Sequence, residues 1–296
     1  MQGIILKGIG GFYYIDTEDG IIECKARGKF RHKSQTPTIG DKVIVEKVAI
    51  EEGILRGYLK EILPRKNKLI RPAISNIDLL VVVVSQAPPK TDTFLIDKVC
   101  AIACNQDIEV VIFINKTDID EALELEKIYT GVGYKVIKGS AIDGSGIDEL
   151  SETIRGKITT FTGNSAVGKS SILNQIDPQF DLKVGGLSEK IGRGKHTTRH
   201  VELLKTKDGS FVADTPGFSS FDTTQMDLVL KENLQHTFIE FEPYIGECKF
   251  SSCSHTKEKG CAILQALNEG KIAKSRFDNY VKLYDAVKDI KEWELK

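Results

Sequence analysis

Residues 163–171 read GNSAVGKSS, and this stretch decides the fold class. It fills every fixed position of G-x-x-x-x-G-K-[ST]. The apolar KITTFT (157–162) precedes it and SSILNQI (170–176) follows, so the order is strand, glycine loop, helix. Gly163 and Gly168 let the backbone turn tightly enough for the N–H groups of Asn164, Ser165, Ala166 and Val167 to converge on phosphate oxygens at a helix N-terminus, where the dipole also favours an anion. Lys169 then pairs with the β and γ phosphates, while Ser170, with Ser171 beside it, supplies a Mg2+ ligand.

A phosphate loop alone leaves ATP, GTP and kinase chemistry open; NKTD (115–118), upstream after EVVIFI, narrows the choice. The Asp118 carboxylate can accept two hydrogen bonds from N1 and N2 of guanine, a donor pair that adenine lacks. Lys116 lies along the base, Thr117 sits between them, and Asn115 braces the phosphate loop. GSA (139–141), closing the strand YKVIKG, offers N–H groups of Ser140 and Ala141 to guanine O6. Downstream, DTPG (214–217) ends another apolar strand. It places Asp214 at the Mg2+ water shell and the Gly217 N–H at the γ phosphate. Between the two phosphate motifs lies GRGKHTTRHVEL (192–203), a first-switch candidate in which either Thr197 or Thr198 can reach Mg2+; Thr198 is the assigned candidate. The residue after DTPG is Phe218, which cannot orient a water as the usual glutamine does. His196, beside the switch threonines, is the nearest group able to do so, and an ordinary loop histidine is the alternative.

The motifs thus run base, base, phosphate, switch, switch, the order of a circularly permuted GTPase. New termini are tolerated where chain ends lie close together at the surface. The expected fold class is an α/β P-loop GTPase domain with a mainly parallel sheet, flanked by an N-terminal OB-fold β-barrel and a C-terminal, mostly helical, zinc-binding domain. Short alternating stretches from GIILKG to GILRGYLKEIL supply the five barrel strands. LPRKNKLIRP (63–72), with two prolines and four basic residues, reads as a linker or a nucleic-acid contact. Near-continuous apolar runs such as DLLVVVV then alternate with helical stretches, the grammar of a parallel sheet covered on both faces. From 260 to the end the sequence reads as helix. The boundaries expected are 1–66, 67–223 and 224–296.

Six cysteines among 296 residues are too few and too unevenly spaced for a disulfide framework. Cys248, Cys253, His255 and Cys261, however, fall within CKFSSCSHTKEKGC and form a donor set suited to one structural, tetrahedral Zn2+; a reduced cluster without metal is the alternative. Cys100 and Cys104 sit in an apolar helix and read as core residues. Residues 1–71 hold 14 Lys and Arg against 9 Asp and Glu although the whole chain is at −1, a mild excess compatible with an anionic partner such as RNA. LLVVVV (79–84) is far short of the roughly 20 apolar residues of a membrane span, so a cytoplasmic protein is expected.

With GGFYYI, CKARGKFR, GDKV, ILPRKNKLIRP, NKTD, GNSAVGKSS, GRGKHTTRH, DTPGF and the cysteine cluster together, nearly the whole chain resembles the bacterial small-subunit-dependent, circularly permuted GTPases of the RsgA/YjeQ/YloQ family. The resemblance implies a monomeric late-assembly factor that binds the small (30S) ribosomal subunit and its 16S rRNA, with hydrolysis of GTP to GDP stimulated by that subunit. It also implies His196 as the catalytic histidine and the four zinc ligands named above. Ala166 stands where potassium-activated relatives carry Asn, so a monovalent-ion requirement is not implied. A GTP-binding RNA scaffold with weak catalysis is the alternative function. A small-molecule kinase would leave NKTD and DTPG unexplained.

Overall fold

The alternating N-terminal stretches close on themselves. A computed structural model describes residues 1–26, 30, 36–51, 54–70, 72–182, 201–214 and 229–291. In it β1 (Gln2–Ile9), β2 (Phe12–Thr17), β3 (Gly20–Ala26), β4 (Lys42–Glu51) and β5 (Ile54–Ile62) form a closed barrel in the order β1-β2-β3-β5-β4. Every pairing is antiparallel except β3 with β5. Ile5, Ile15, Ile22, Val43, Val45 and Leu59 pack together in the interior.

The described residues of 63–72 belong to a packed joint. Asp41 is fully buried, and each of its oxygens accepts twice: Oδ1 from Arg65 Nε at 2.6 Å and Ser75 Oγ at 2.6 Å, Oδ2 from Arg65 Nη2 at 2.7 Å and the Thr38 N–H at 2.7 Å. Asn67 brackets Ile77 with two 2.8 Å hydrogen bonds, and Asn76 Nδ2 donates to the Gly40 carbonyl at 2.9 Å. A two-stranded ladder, β6 (Lys68–Leu69) with β7 (Ile74–Ser75), completes the joint. The basic residues that suggested a nucleic-acid contact are partly consumed here: Arg65 goes to Asp41 and Lys66 to Asp78.

Beyond the joint come β8 (Leu79–Val84), α1 (Thr93–Asn105), β9 (Glu109–Ile114), α2 (Leu123–Val132), β10 (Lys135–Lys138), α3 (Ile147–Ile154), β11 (Ile158–Gly163), α4 (Lys169–Ile176), β12 (Leu203–Lys205) and β13 (Phe211–Asp214). Among the described residues they build a six-stranded sheet in the order β10-β9-β8-β11-β13-β12, parallel except for the edge strand β12. The central β8 is buried throughout. Leu79, Val81 and Val83 pack with Ile147, Leu150, Ile172 and Leu173, whereas Leu80, Val82 and Val84 share a core with Ile96, Val99 and Cys100 of α1. A strand covered on both faces has no polar side, which explains its uninterrupted apolar run. The connections leave β8 toward β9 and β10 but place β11 on its other flank. The reversal puts a topological switch point between β8 and β11, where open α/β sheets bind ligands.

The last part holds α5 (Lys231–Thr237), a 3-10 turn (Ile239–Tyr244), α6 (Ala262–Asn268) and α7 (Lys274–Val287). The helical reading of the C-terminal stretch is interrupted between α6 and α7, where Gly270 takes a left-handed φ of +71°. This part docks on the sheet domain through Arg276, whose side chain is 1% exposed. Its guanidinium donates to Asp97 Oδ1 of α1 at 2.7 Å and in a fork to both Glu240 oxygens at 2.7 and 2.8 Å, and it lies 4.6 Å from the Phe238 ring centroid. Burial alone would lower the Arg276 pKa, but Asp97 and Glu240 hold it well above its usual value. No helix among the described residues is long and apolar enough to cross a membrane.

Replacing Arg276 by Met strands the buried Asp97 carboxylate. It is expected to lower the free energy of local opening of α7 by about 3 kcal/mol, read from hydrogen exchange of its amides. Unchanged protection would assign the joint to the surrounding aromatic rings instead.

Candidate functional site

Because β9, β10, β11 and β13 are parallel, the segments that follow them emerge at one edge of the sheet. The phosphate loop follows β11, NKTD follows β9, GSA follows β10, and Asp214 is the last residue of β13. Strand order alone therefore assembles four motifs spread over about 100 residues of chain.

The phosphate loop turns through Ala166, at φ +59°, a left-handed conformation that costs a non-glycine residue about 1 kcal/mol. Val167 points down into the core, whereas Ser165 and Ala166 are exposed at the rim and Asn164 is half-buried. Lys169 opens α4, and its ammonium donates back to the carbonyls of Gly163 at 2.8 Å and Asn164 at 3.0 Å, which stations it inside the loop. Ser170 and Ser171 follow in the first turn, both half-buried.

Asn115 joins this loop to the other two. It is 3% exposed; its Nδ2 donates to the Val167 carbonyl at 2.7 Å, and its Oδ1 accepts from the Ala141 N–H at 3.0 Å. The contact requires glycine at 168, where a Cβ would lie 2.2 Å from Asn115 Nδ2 and where φ is +105°. The Thr117 N–H donates to the Gly139 carbonyl at 3.2 Å, tying NKTD to GSA directly. Ser140 is fully buried and shapes its own turn, its Oγ accepting from the Ile142 N–H at 3.1 Å. Lys116 takes a left-handed φ of +66° and its ammonium donates to the Pro88 carbonyl at 2.8 Å; Asp118 stands exposed at the rim. His196, Thr197, Thr198 and Gly217 lie outside the described residues, and Asp214 is described by its backbone alone.

Two supports escape the motifs. Pro88 contributes a carbonyl, and Gln175 on α4 donates to the Ala141 carbonyl at 3.1 Å. Neither leaves a signal in sequence, since a backbone acceptor can belong to any residue and a helical glutamine is ordinary.

The second cluster lies in the C-terminal part. Ligand atoms of Cys248, Cys253, His255 and Cys261 all fall within 4.8 Å of one another, and this group could hold a metal ion. His255 Nδ1 is 3.5 Å from both Cys248 Sγ and Cys261 Sγ, and these sulfurs are 3.9 Å apart. On the far side of the ring, His255 Nε2 is 2.7 Å from Gln235 Oε1, a pairing that makes Nε2 the donor and leaves Nδ1 for a cation. N–H groups of Ala262 and Leu264 point at Cys248 Sγ and Cys261 Sγ, at 3.3 and 3.5 Å. Burial pushes the Cys253 thiol up to about 12, so thiolates here require a cation close by. Gln235 precedes the cysteine motif by several residues and is invisible as a support until the fold places it.

A family profile described as RsgA GTPase matches residues 62–224, and one described as RsgA N-terminal domain matches residues 2–55. The small ribosomal subunit biogenesis GTPase RsgA of Ruminiclostridium cellulolyticum is 44% identical over 296 residues, covering 99% of this chain and 95% of that protein. Its counterpart in Caldanaerobacter subterraneus subsp. tengcongensis is 43% identical, covering 98% and 96%. Among solved structures, YjeQ from Thermotoga maritima superposes with a TM-score of 0.82 at 37% identity over 98% of this chain and 99% of that one. YloQ, described as a circularly permuted GTPase, gives 0.78 at 36% identity over 98% and 96%. Architecture, motif order and sequence agree along the whole length, and this chain is a member of the RsgA family of GTPases.

Proposed function

We propose that this chain binds GTP at the C-terminal edge of its sheet and hydrolyses it as a switch in maturation of the small ribosomal subunit, in the cytoplasm, as a monomer. The observation that carries the reading is Asn115, whose one side chain ties the phosphate loop to the base-reading loops and so makes a single nucleotide pocket of them. In that pocket Asp118 reads guanine, and Lys116 and Thr117 line the base. Ser140 and Ala141 receive O6. Gly163 to Ser171 wrap the phosphates, with Lys169 on the β and γ groups. Ser170 and Thr198 would hold Mg2+, with Thr197 as the other switch threonine, while Asp214 would face the metal's water shell and the Gly217 N–H the γ phosphate. Mg2+ supplies charge neutralisation on the β and γ oxygens when GTP is bound. With Phe218 in the place of the water-orienting glutamine, His196 takes that role.

The cluster of Cys248, Cys253, His255 and Cys261 is assigned to one structural Zn2+. Tetrahedral Zn2+ with three thiolates and one imidazole has S···S edges of about 3.8 Å and S···N edges of about 3.6 Å. The 3.9 and 3.5 Å separations support that geometry. We divide the chain into an rRNA-binding barrel (1–66), the GTPase domain (67–223) and a zinc-binding domain (224–296), with 16S rRNA gripped by the first and third. The relatives' name, which refers to small-subunit biogenesis, and the basic excess of residues 1–71 support this partner.

Phosphate release measured with GTP and with ATP, each with and without small ribosomal subunits, tests the whole reading. Stimulation confined to GTP is expected, whereas GTP binding without turnover on subunits would favour a scaffold. Asp118→Ala is expected to weaken GTP binding about 100-fold, toward the level of ATP, by removing two hydrogen bonds to a charged acceptor; unchanged selectivity in a nucleotide competition assay would remove Asp118 from the pocket. Metal analysis of purified protein is expected to find about one zinc per chain, lost in Cys253→Ala. A metal-free wild type that folds normally would return the cluster to reduced cysteines.

A further inference from the structure

The Lys116 ammonium is anchored on a segment that belongs to none of the nucleotide motifs. Its acceptor, the Pro88 carbonyl, sits in the loop 85–92 between β8 and α1. That loop is stapled to itself. The Ser85 N–H donates to Thr91 Oγ1 at 3.0 Å, the Thr91 N–H returns to the Ser85 carbonyl at 2.9 Å, and Ser85 Oγ donates to the Ala87 carbonyl at 2.9 Å. Asp92 then caps α1 by accepting from the Phe94 N–H at 2.9 Å. A loop closed in this way moves with the first turn of α1.

What holds that first turn comes from the far end of the chain. Asn279 on α7 is 3% exposed, and its Nδ2 donates one hydrogen to Thr93 Oγ1 at 3.2 Å and the other to Asp97 Oδ2 at 2.7 Å. Asp97 is itself fixed by Arg276 and by the Tyr129 hydroxyl at 2.8 Å. Thr93 is five positions beyond Pro88, so the C-terminal part grips α1 immediately behind the loop that supports Lys116.

We propose that Thr93 and Asn279 are positioning residues for the guanine pocket, through which the C-terminal domain sets how firmly the nucleotide is retained. This rests on the assignment of NKTD as the base site. Releasing the first turn of α1 lets the Pro88 carbonyl shift and with it the Lys116 side chain, which lies flat along the purine, while Asp118 keeps its own hydrogen bonds to the base. The loss is therefore the same for any purine that Asp118 accepts, a signature distinct from damage to base selection. By thermodynamic reciprocity, a partner that grips the C-terminal domain and loosens this contact weakens nucleotide binding by the factor by which nucleotide weakens the partner.

The test uses the full-length protein and the release of ribose-labelled fluorescent GDP and inosine diphosphate. Thr93→Val keeps the side-chain shape and removes only the acceptor of Asn279, so it is expected to leave the melting temperature of the nucleotide-free chain in place and speed release of both nucleotides about threefold. Asn279→Ala is expected to do at least as much, and the double variant to release no faster than Asn279→Ala alone, because both act through one contact. Asp118→Asn, expected to shift preference to xanthosine diphosphate, reports on the base site. If that shift occurs but Thr93→Val releases GDP at the wild-type rate, or if the two substitutions act additively, the proposal is overturned while the pocket stands. If Asp118→Asn shifts nothing, the base-site assignment fails and the proposal with it.

Discussion

The Asn115 amide is the constraint around which the loops at the C-terminal edge of the sheet are organised. It occupies the gap opposite Gly168, donating to the phosphate loop and accepting from GSA, and it is nearly excluded from solvent. In such surroundings an unpaired donor or acceptor costs about 1–3 kcal/mol, so the three loops hold one another in a single arrangement before any ligand arrives. Because β9, β10 and β11 are parallel members of one sheet, that arrangement rests on the rigid part of the molecule.

Two ionic joints extend this order outward. Asp41 with Arg65 secures the barrel, and Arg276 with Asp97 and Glu240 secures the C-terminal part. Both carboxylates, Asp41 and Asp97, are buried, and burying charge is unfavourable unless every oxygen is matched. All four Asp41 interactions converge from segments on either side of the joint, and the Arg276 fork is enclosed by aromatic rings. A sliding apolar interface would tolerate many docking angles; these joints tolerate few.

The three loops that meet around Asn115 were legible in sequence because each motif sets a residue type at a fixed distance from a strand end, as Gly168 does where a Cβ would collide with the Asn115 amide. Alternation marked the barrel strands for the same reason, since one face of each is wet. Legibility ends where the interaction joins residues far apart in the chain. Nothing near LPRKNKLIRP announces that Asp41 lies across from Arg65, so the sequence alone does not reveal that this charge is paired inside the molecule. Arg276 and Asp97 are separated by 179 positions and look in sequence like two ordinary helical charges. The break at Gly270 within the helical C-terminal stretch was not legible because apolar spacing in threes and fours continues across it.

The order of strands along the chain also bears on how the protein is made. β8 is buried on both faces and flanked by β9 and β11, yet β11 ends at residue 163, about 80 residues after β8. A ribosome adding about 5–20 residues per second needs several seconds to supply it. Through that interval the growing chain holds β8, β9 and β10 with the flank of LLVVVV open, an unpaired apolar edge of the kind that recruits other chains. The permuted order thus puts a strand that ends up buried on both faces at the front of the domain's synthesis. The barrel that precedes it closes on itself and leaves no edge strand of its own.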